Sequence, residues 1–290
     1  DRIIEKRGPR VDAPAAAIAC FLKSAGVSRE DLVEEDTPKG RFLFARSEIT
    51  GGDTAALLAP IIIDILTHFP WPKSQRWGRG KFRWVRPLHR INILFDGKPL
   101  AGALDLGGGD AITFGATSCG HYFEAPDDID LTGITSLDDV KARLRAGYVM
   151  LDQDERHDAI ISEAKKLAAS QSCHLNETQL GNYLADIAGL VEWPTPLMGQ
   201  IEDRFMVLPP ELLQATIATH QKYITLSDAD GKFSSHFIVL SNRLGDAERD
   251  KVIIAGNQRV LRARLADAEF FWQQDQARQL ESYLPILGDV

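Results

Sequence analysis

The segment of residues 73–90 constrains this chain most, because it concentrates positive charge and contains no acid. Its sequence is K-S-Q-R-W-G-R-G-K-F-R-W-V-R-P-L-H-R, in which Trp77, Phe82 and Trp84 lie between the cations. The cationic residues are Lys73, Arg76, Arg79, Lys81, Arg83, Arg86 and Arg90. Lys and Arg hold phosphate oxygens through charge-assisted hydrogen bonds, and aromatic faces accept unpaired bases. The segment therefore favours a surface that binds a polyanion.

Net charge indicates how widespread such a surface can be. The 290-residue chain has a formal net charge of −8, from 33 Lys and Arg against 41 Asp and Glu. Without the cations of residues 73–90, 26 Lys and Arg remain against the same 41 acids. An acidic background disfavours indiscriminate coating of nucleic acid, so we expect any binding to be local and oriented.

A structural explanation of the same segment stands beside the functional one. Residues 81–84 alternate, with Lys81 and Arg83 on one side and Phe82 and Trp84 on the other. That period predicts a half-buried strand whose aromatic side chains lie in the core and whose cations are only solvated. The two interpretations are compatible, because one face of a strand can pack while the other binds an anion.

Periodicity and turn residues predict an α+β fold: a mixed α/β lobe with antiparallel hairpins, a helical connector and a long C-terminal helical region. The corresponding domains are residues 1–135, which carry the basic segment, 136–192 and 193–290, the last with a further hairpin. Helices are predicted at residues 15–24, 54–69, 136–169, 175–188, 211–219 and 246–284. A turn is predicted at Gly8-Pro9. In the last helix, the residues at the spacing of a buried stripe are Val260, Leu261, Leu265, Ala268 and Phe271.

Cysteine usage and hydropathy indicate the class of protein. Cys20, Cys119 and Cys173 are widely spaced and form no C-x-x-C motif, which predicts reduced thiols in a cytoplasmic protein. No apolar run approaches the ~20 residues that a membrane helix needs, so we expect no membrane association. The chain begins at Asp1 inside a charged segment, which suggests a missing N-terminal piece.

Motifs that could carry chemistry are weak. The glycines of residues 107–109 lack G-x-G-x-x-G spacing and predict a tight turn rather than a phosphate loop. Cys119 and His121 lie close together, but no third residue orients them, so a packed loop is the favoured interpretation. The dipeptide His157-Asp158 lacks further ligands at metal-binding spacing. We expect no catalytic residue, no metal site and no cofactor on this chain.

Five blocks in order resemble one family. They are K-R-G-P-R (residues 6–10), P-K-S-Q-R-W-G with F-R-W-V-R-P-L-H (72–78 and 82–89), L-V-E-W-P-T-P (190–196), T-H-Q-K-Y (219–223) and G-N-Q-R-V-L-R-A-R-L-A-D-A-E-F-F (256–271). The blocks resemble the beta-subunit family of bacterial heterotetrameric glycine–tRNA ligase and extend over nearly the whole chain. One block alone would not be specific, whereas five in family order are.

The resemblance implies an incomplete beta chain, without an N-terminal strand region and without C-terminal HD-like and anticodon-binding domains. It implies that glycine is activated with ATP and Mg on a separate alpha subunit, a class II catalytic chain. The beta chain would bind tRNA(Gly) and contact the alpha subunit, and an alpha2beta2 assembly would contain a second beta subunit. Part of the region is similar to the B3/B4 module of the phenylalanine enzyme's beta chain, an α/β fold.

The candidate tRNA contacts are basic residues of these blocks and of the segment 73–90, together with one aromatic residue. They are Lys6, Arg7, Arg10, Lys73, Arg76, Trp77, Arg79, Lys81, Arg83, Arg86, His89, Arg90, Lys222, Arg259, Arg262 and Arg264. The arginines of residues 259–264 could face an anion or only the acids around them. Where the family pattern has a T-R-G-H-R-like block, residues 117–122 are T-S-C-G-H-Y, so any tRNA contact there is weakened or replaced.

Two other functions remain open. The basic segment could dock an acidic face of the alpha subunit as a protein-interaction scaffold, without direct tRNA contact, because Arg and Trp are favoured interface anchors. The similarity to the B3/B4 module also leaves a relic editing-type hydrolase as a possibility, although no residue of this chain demands it.

Overall fold

The computed structural model describes residues 2–49, 51–181, 183–277 and 279–284. Contacts divide the chain into two compact units: the first comprises Asp1–His89 and Leu100–Phe114, and the second comprises Arg90–Pro99 and Gly115–Val290. Both contain helices and antiparallel strands, so the α+β fold is confirmed. The boundaries after residues 135 and 192 stay a prediction. Residues 278 and 285–290 of the third predicted domain lie outside the described residues.

Eight α-helices are present in the described part of the chain. They are α1 (Ala15–Ala25), α2 (Thr54–Thr67), α3 (Leu137–Ala146), α4 (Gln153–Ser170), α5 (Glu177–Gly181), α6 (Leu184–Ala188), α7 (Pro210–Gln214) and α8 (Ala247–Ala277). A π-helical turn follows α7 at Ala215–His220, and 3₁₀ turns lie at Asp203–Val207 and Leu280–Tyr283. None of the described helices is both long enough and apolar enough to cross a membrane.

The strands are short except in the two main sheets. They are β1 (Arg2–Arg10), β2 (Leu32–Thr37), β3 (Gly40–Ile49), β4 (Ile91–Asn92), β5 (Leu94–Phe95), β6 (Lys98–Pro99), β7 (Ala103–Gly107), β8 (Asp110–Gly115), β9 (Thr117–Cys119), β10 (Asp128–Asp130), β11 (His174–Leu175), β12 (Pro194–Gln200), β13 (Ile224–Ser227) and β14 (Phe233–Asn242). Five consecutive pairs in the described part of the chain, β2–β3, β5–β6, β7–β8, β9–β10 and β13–β14, form antiparallel hairpins.

Two helix predictions need correction. The predicted helix 136–169 is divided into α3 and α4, because α3 ends at Ala146, just before Gly147, and Tyr148 adopts a positive φ of 57° that a helix cannot contain. The predicted helix 175–188 is represented by the short helices α5 and α6. Residue 182, between them, lies outside the described residues.

In the first unit, β3 is the central strand of an antiparallel sheet, with β1 and β2 as its neighbours. Consecutive residues of a strand face opposite sides, so the burial of Leu43, Phe44 and Ala45 shows that both faces of β3 are covered there. The predicted turn at Gly8-Pro9 is wrong, because β1 continues through both residues with an irregular register.

Helix α2, also in the first unit, is apolar but largely exposed. Its N-terminus is capped by Asp53, whose carboxylate accepts a hydrogen bond from the Ala56 backbone N–H. Of its residues only Ala59 is buried. Every fourth position lies on one helix face, and this face exposes Leu57, Ile61, Ile65 and, just past the helix, Phe69, by 55%, 52%, 53% and 45%.

The second unit is built on a four-stranded antiparallel sheet with the order β11-β13-β14-β12. Neighbouring residues of β14 enter different cores: Ile238 packs in a cluster with Ile160 and Ala164 of α4, whereas Phe237 packs in a cluster with Leu261 of α8. Both strand residues are fully buried. The sheet is therefore covered by helices on both faces.

The long helix α8 confirms the predicted C-terminal helical region, but its buried stripe is narrower than predicted. Leu261 and Leu265 are buried, as expected. Val260 and Phe271 are exposed by 46% and 63%, so their predicted burial is wrong. The contact of α8 with the rest of the second unit is a narrow line that leaves these neighbouring positions in solvent.

Candidate nucleic-acid interface

The basic segment of the first unit, residues 73–89, is an irregular loop rather than the predicted strand. Its only pairing in the described structure is an isolated bridge in which the backbones of Gln75 and Trp84 exchange hydrogen bonds of 2.8 and 3.1 Å. The N–H groups of Lys81 and Phe82 both donate to the Leu106 carbonyl oxygen, at 2.7 and 3.0 Å. Two N–H groups of the loop thus share one carbonyl oxygen of β7, and the regular series of hydrogen bonds between paired strands does not form.

The turn between β7 and β8 allows this loop to approach closely. All three glycines of residues 107–109 have positive φ, which confirms a tight turn. A Cβ on Gly108 would lie 2.6 Å from the Arg79 carbonyl oxygen, and one on Gly80 would lie 2.6 Å from the Leu106 carbonyl oxygen. Glycine at both positions lets the two backbones touch.

The predicted alternation of exposure within the loop is confirmed. Phe82 and Trp84 are half-buried, whereas Lys81 and Arg83 are exposed. The rings of Phe82 and Trp84 are stacked with centroids 6.0 Å apart, and Trp77 meets Phe82 edge-on at 5.9 Å. The aromatic side chains therefore form a packed layer, and Trp77, a candidate base-stacking residue, is half-buried in it.

Most cations of the loop lack a carboxylate partner within the described structure. Five exposed cations have none: Lys73, Arg76, Lys81, Arg83 and Arg86. Arg83 instead donates to the hydroxyl and carbonyl oxygens of Ser74, at 3.1 and 2.8 Å. Arg79 lies 4.0 Å from Asp110, with 83% of its side chain exposed. His89 is also exposed. The positive charge of the loop is thus not neutralised internally.

Arg90, in the second unit, differs from these cations. Its guanidinium forms a 2.7 Å ion pair with Asp128 and donates to the Ser118 carbonyl oxygen at 3.3 Å. The hydrogen bond with Asp128 raises the pKa of Arg90 above its ordinary value. Arg90 therefore ties its segment to the β9–β10 hairpin, and it is less available to an external phosphate than the free cations.

The three candidate tRNA-binding residues on β1 are exposed, but each side chain already makes a contact within the protein. Lys6 donates to the Ser24 carbonyl oxygen at 3.2 Å, and Arg10 lies 3.4 Å from Asp12. The Arg7 guanidinium lies 3.8 Å from the centre of the Phe42 ring. Each contact lies at the surface, where solvent-exposed charges exchange partners at little cost.

The candidates in the second unit divide into paired and free cations. Arg262 and Arg204 both contact Glu202; partial burial raises the pKa of Glu202, but their hydrogen bonds outweigh it and lower the pKa below its ordinary value. Lys222 lies 3.0 Å from Asp186. Arg259 and Arg264 are exposed and have no carboxylate partner among the described residues. Of the three arginines in residues 259–264, Arg262 therefore faces an acid, whereas Arg259 and Arg264 stay candidates for an external anion.

Several residues of the motif blocks hold the fold together instead of facing a ligand. The Tyr223 hydroxyl donates to Asn257 Oδ1 at 2.6 Å, which joins T-H-Q-K-Y to the G-N-Q-R block. Asn242 Oδ1 accepts hydrogen bonds from the backbones of Glu192 and Trp193 at 2.8 and 2.9 Å. The prediction from sequence did not single out Asn257 or Asn242, because their partners are remote along the chain.

No catalytic arrangement involves Cys119 and His121. His121 is buried, and its Nε2 donates to the Asn242 carbonyl oxygen at 2.9 Å. Its Nδ1 accepts from the N–H groups of Phe123 and Glu124, both at 3.3 Å. Both ring nitrogens are therefore occupied by backbone groups, and neither is free to act as a base. The packed-loop interpretation agrees with this geometry.

The second unit also contains a cleft and a groove. A polar cleft of about 280 Å³ between α7 and β13 is lined by Glu211, Gln214 and Asn176, and its lining contains no His, Cys or Lys. An apolar groove of about 380 Å³ is lined by Phe271, Trp272 and other residues of α8 and the π-helical turn. No cluster of three or more metal-binding side chains occurs among the described residues.

The chain is similar to known proteins over its whole length. The family model described as glycyl-tRNA synthetase beta subunit matches residues 1–290. A glycine–tRNA ligase beta subunit of Rhodospirillum centenum is 40% identical over 306 residues, covering 99% of this chain and 42% of that protein. Those of Ruegeria sp. and Paracoccus denitrificans are 41% and 43% identical, covering 99% and 93% of this chain and 41% and 38% of theirs. The chain spans about two fifths of the length of these relatives.

Proposed function

This chain belongs to the glycyl-tRNA synthetase beta subunit family, and on that premise we propose that it binds tRNA(Gly) while a separate alpha subunit attaches glycine. The alpha subunit would hold ATP and Mg, and two copies of each subunit would form an alpha2beta2 assembly in the cytoplasm. This chain then contributes binding energy and no reacting group. Holding a reactant in position can remove several kcal/mol from a barrier.

The observation that supports the proposal is the set of exposed cations in residues 73–86 that have no carboxylate partner among the residues that the structure describes. A cation that is paired with an internal carboxylate must give up that partner to bind an external phosphate. A free guanidinium or ammonium group has no such partner to lose. Each cation that neutralises a phosphate also releases a condensed counterion, so affinity falls as salt rises. Arg76 and Lys81 represent this set, since neither side chain contacts an acid in the described structure.

The test is a titration of tRNA(Gly) against the complete alpha–beta enzyme at several salt concentrations. We expect the double variant Arg76→Ala, Lys81→Ala to bind more weakly, and the slope of log K against log salt to fall by about one unit for each lost phosphate contact. The matched control is Lys23→Ala, Lys39→Ala, which removes two exposed cations of the same unit outside the basic loop. Unchanged affinity and slope in the first variant would show that this loop does not bind tRNA.

A second candidate function is docking of the alpha subunit, and the exposed apolar face of α2 favours it. Contiguous exposed apolar side chains on a soluble protein are typical of an interaction surface. Leu57, Ile61 and Ile65 provide such a row, separate in sequence from the basic loop. Assembly of the two subunits measured without RNA distinguishes this function from tRNA binding.

A further inference from the structure

Two exposed aromatic side chains project from the loop between β9 and β10 in the second unit. Tyr122 and Phe123 are 78% and 63% exposed. Their rings meet edge-to-face, with centroids 4.8 Å apart and planes at 88°. Aromatic residues dominate binding energy at interfaces because they bury large areas at little conformational cost. An exposed pair of this kind therefore needs a ligand or a structural reason.

The loop that carries the pair is rigid. His121 is fixed by its three hydrogen bonds to the backbones of Asn242, Phe123 and Glu124. The Ala125 N–H donates to the His121 carbonyl oxygen at 2.9 Å. A Cβ on Gly120 would lie 2.2 Å from the Ala125 carbonyl oxygen, so the turn is closed as tightly as glycine allows. A ligand would therefore meet the two rings already in place, which lowers the entropic cost of binding.

Positive charge lies beside the pair. The Arg243 guanidinium is 4.4 Å from the centre of the Phe123 ring. Arg243 and Arg249 contact the same oxygen of Glu124, at 2.6 and 3.5 Å. Two guanidinium groups therefore share one carboxylate beside the Phe123 ring. A planar apolar surface with adjacent positive charge fits a nucleotide better than an apolar side chain of a protein.

We propose that Tyr122 and Phe123 form a stacking site for one unpaired base of RNA. This inference rests on the proposed function, since it adds a contact for the same tRNA. The base would stack on the exposed face of one of the two rings. In this chain the loop offers aromatic stacking at a position where its sequence, T-S-C-G-H-Y, contains no cation.

The test compares ring removal with ring retention in the complete alpha–beta enzyme. The variant Tyr122→Ala, Phe123→Ala should bind tRNA(Gly) roughly 5- to 150-fold more weakly, the range that loss of one stacked base gives. The salt slope should stay unchanged, because stacking releases no counterion. Tyr122→Phe keeps the ring and should keep the affinity. Phe95→Ala, which removes another exposed ring of the second unit, is the control.

Direct contact is measured with tRNA(Gly) transcripts that carry 2-aminopurine at one unpaired position at a time. We expect the wild-type enzyme to quench the fluorescence at one position, and Tyr122→Ala, Phe123→Ala to abolish that quenching. If tRNA does not bind the wild type at all, the proposed function itself fails. If Arg76→Ala, Lys81→Ala weakens binding while the aromatic variant does not, only the stacking site is overturned. Loss of alpha-subunit assembly instead of tRNA affinity would overturn it in favour of a protein contact.

Discussion

At the scale of single residues, Glu124 is the charge on which the β9–β10 loop depends. Its side chain is 11% exposed and contacts Arg243, Arg249 and the Leu244 backbone N–H. The hydrogen bond from Arg243 lowers the pKa of Glu124 below its ordinary value, although burial acts in the opposite direction. A carboxylate with a lowered pKa in the folded state stabilises the fold above its unfolded-state pKa. This stabilisation is lost as the pH falls through the folded-state pKa.

Replacement of Glu124 by Gln should therefore have an effect that depends on pH. At pH 7, Glu124→Gln removes the negative charge between two guanidinium groups, so we expect its Tm to fall by several degrees. As the pH falls from the ordinary pKa of glutamate through the lowered folded-state pKa of Glu124, the wild type loses this stabilisation, and the difference in Tm should shrink. Thermal denaturation followed by circular dichroism over a pH series measures both effects.

The control for this prediction is another acid on the same unit. Glu248 lies 2.7 Å from Lys251, but 84% of its side chain is exposed. Exposed pairs contribute little to stability, so Glu248→Gln should leave the Tm nearly unchanged at every pH. A Tm difference for Glu124→Gln that is as large at pH 3 as at pH 7 would contradict the ionic role of Glu124.

The same scale shows what sequence can predict about a charged site. The concentration of cations in residues 73–90 predicts exposure, and every one of them is exposed. Which cations of the chain are paired could not be predicted, because the partner of a cation depends on the fold. Arg262 of α8 contacts Glu202, sixty positions earlier, whereas Arg259 on the same helix contacts no acid in the described structure.

At the scale of secondary structure elements, the β7–β8 turn determines where the basic loop lies. Gly108 and Gly109 both have positive φ, of 68° and 90°, so alanine is strained at either position. Only at Gly108 would the added methyl also collide with the backbone of the loop, at Arg79. Comparing alanine at the two positions therefore distinguishes the effect of strain in the turn from the effect of displacing the loop.

We expect Gly108→Ala to destabilise the protein more than Gly109→Ala, by about 1–3 kcal/mol, the usual cost of overpacking. It should also weaken tRNA binding although no charge is removed, because the loop must move. Urea denaturation and the tRNA titration of the complete enzyme measure these effects. Equal effects of the two substitutions on stability and binding would mean that the close approach of turn and loop does not matter.

The strand predicted for residues 81–84 is wrong, although the alternation on which it was based is present in the structure. Alternating polar and apolar residues predict which side chains face the interior, and Phe82 and Trp84 do so. They do not predict whether the backbone finds a partner strand. Here Lys81 and Phe82 share the Leu106 carbonyl oxygen, and a ladder does not form. Helix α2, by contrast, was predictable, because its start and end are encoded locally by Asp53 and the prolines after Phe69.

At the scale of the whole chain, charge is divided between the two units. The first unit contains 15 Lys and Arg against 13 Asp and Glu, and the second contains 18 against 28. The acidic character of the chain therefore belongs entirely to the second unit, and the basic loop lies in the unit with the positive balance. Long-range attraction of an RNA should be directed to the first unit, and it weakens as salt shortens the range of the field.

The exposed face of α2 lies in the same positively charged unit, so RNA binding and docking of the alpha subunit must be separated by experiment. In the full-length beta chain, Ile61→Asp places a charge in the middle of the apolar row. We expect it to weaken assembly with the alpha subunit at least tenfold, because an unpaired charge buried at an interface is costly. Affinity of the beta chain for tRNA(Gly) should not change. Val207→Asp, at a site that is 80% exposed in the second unit, is the control. Analytical ultracentrifugation without RNA measures assembly, and an intact complex with Ile61→Asp would show that the alpha subunit docks elsewhere.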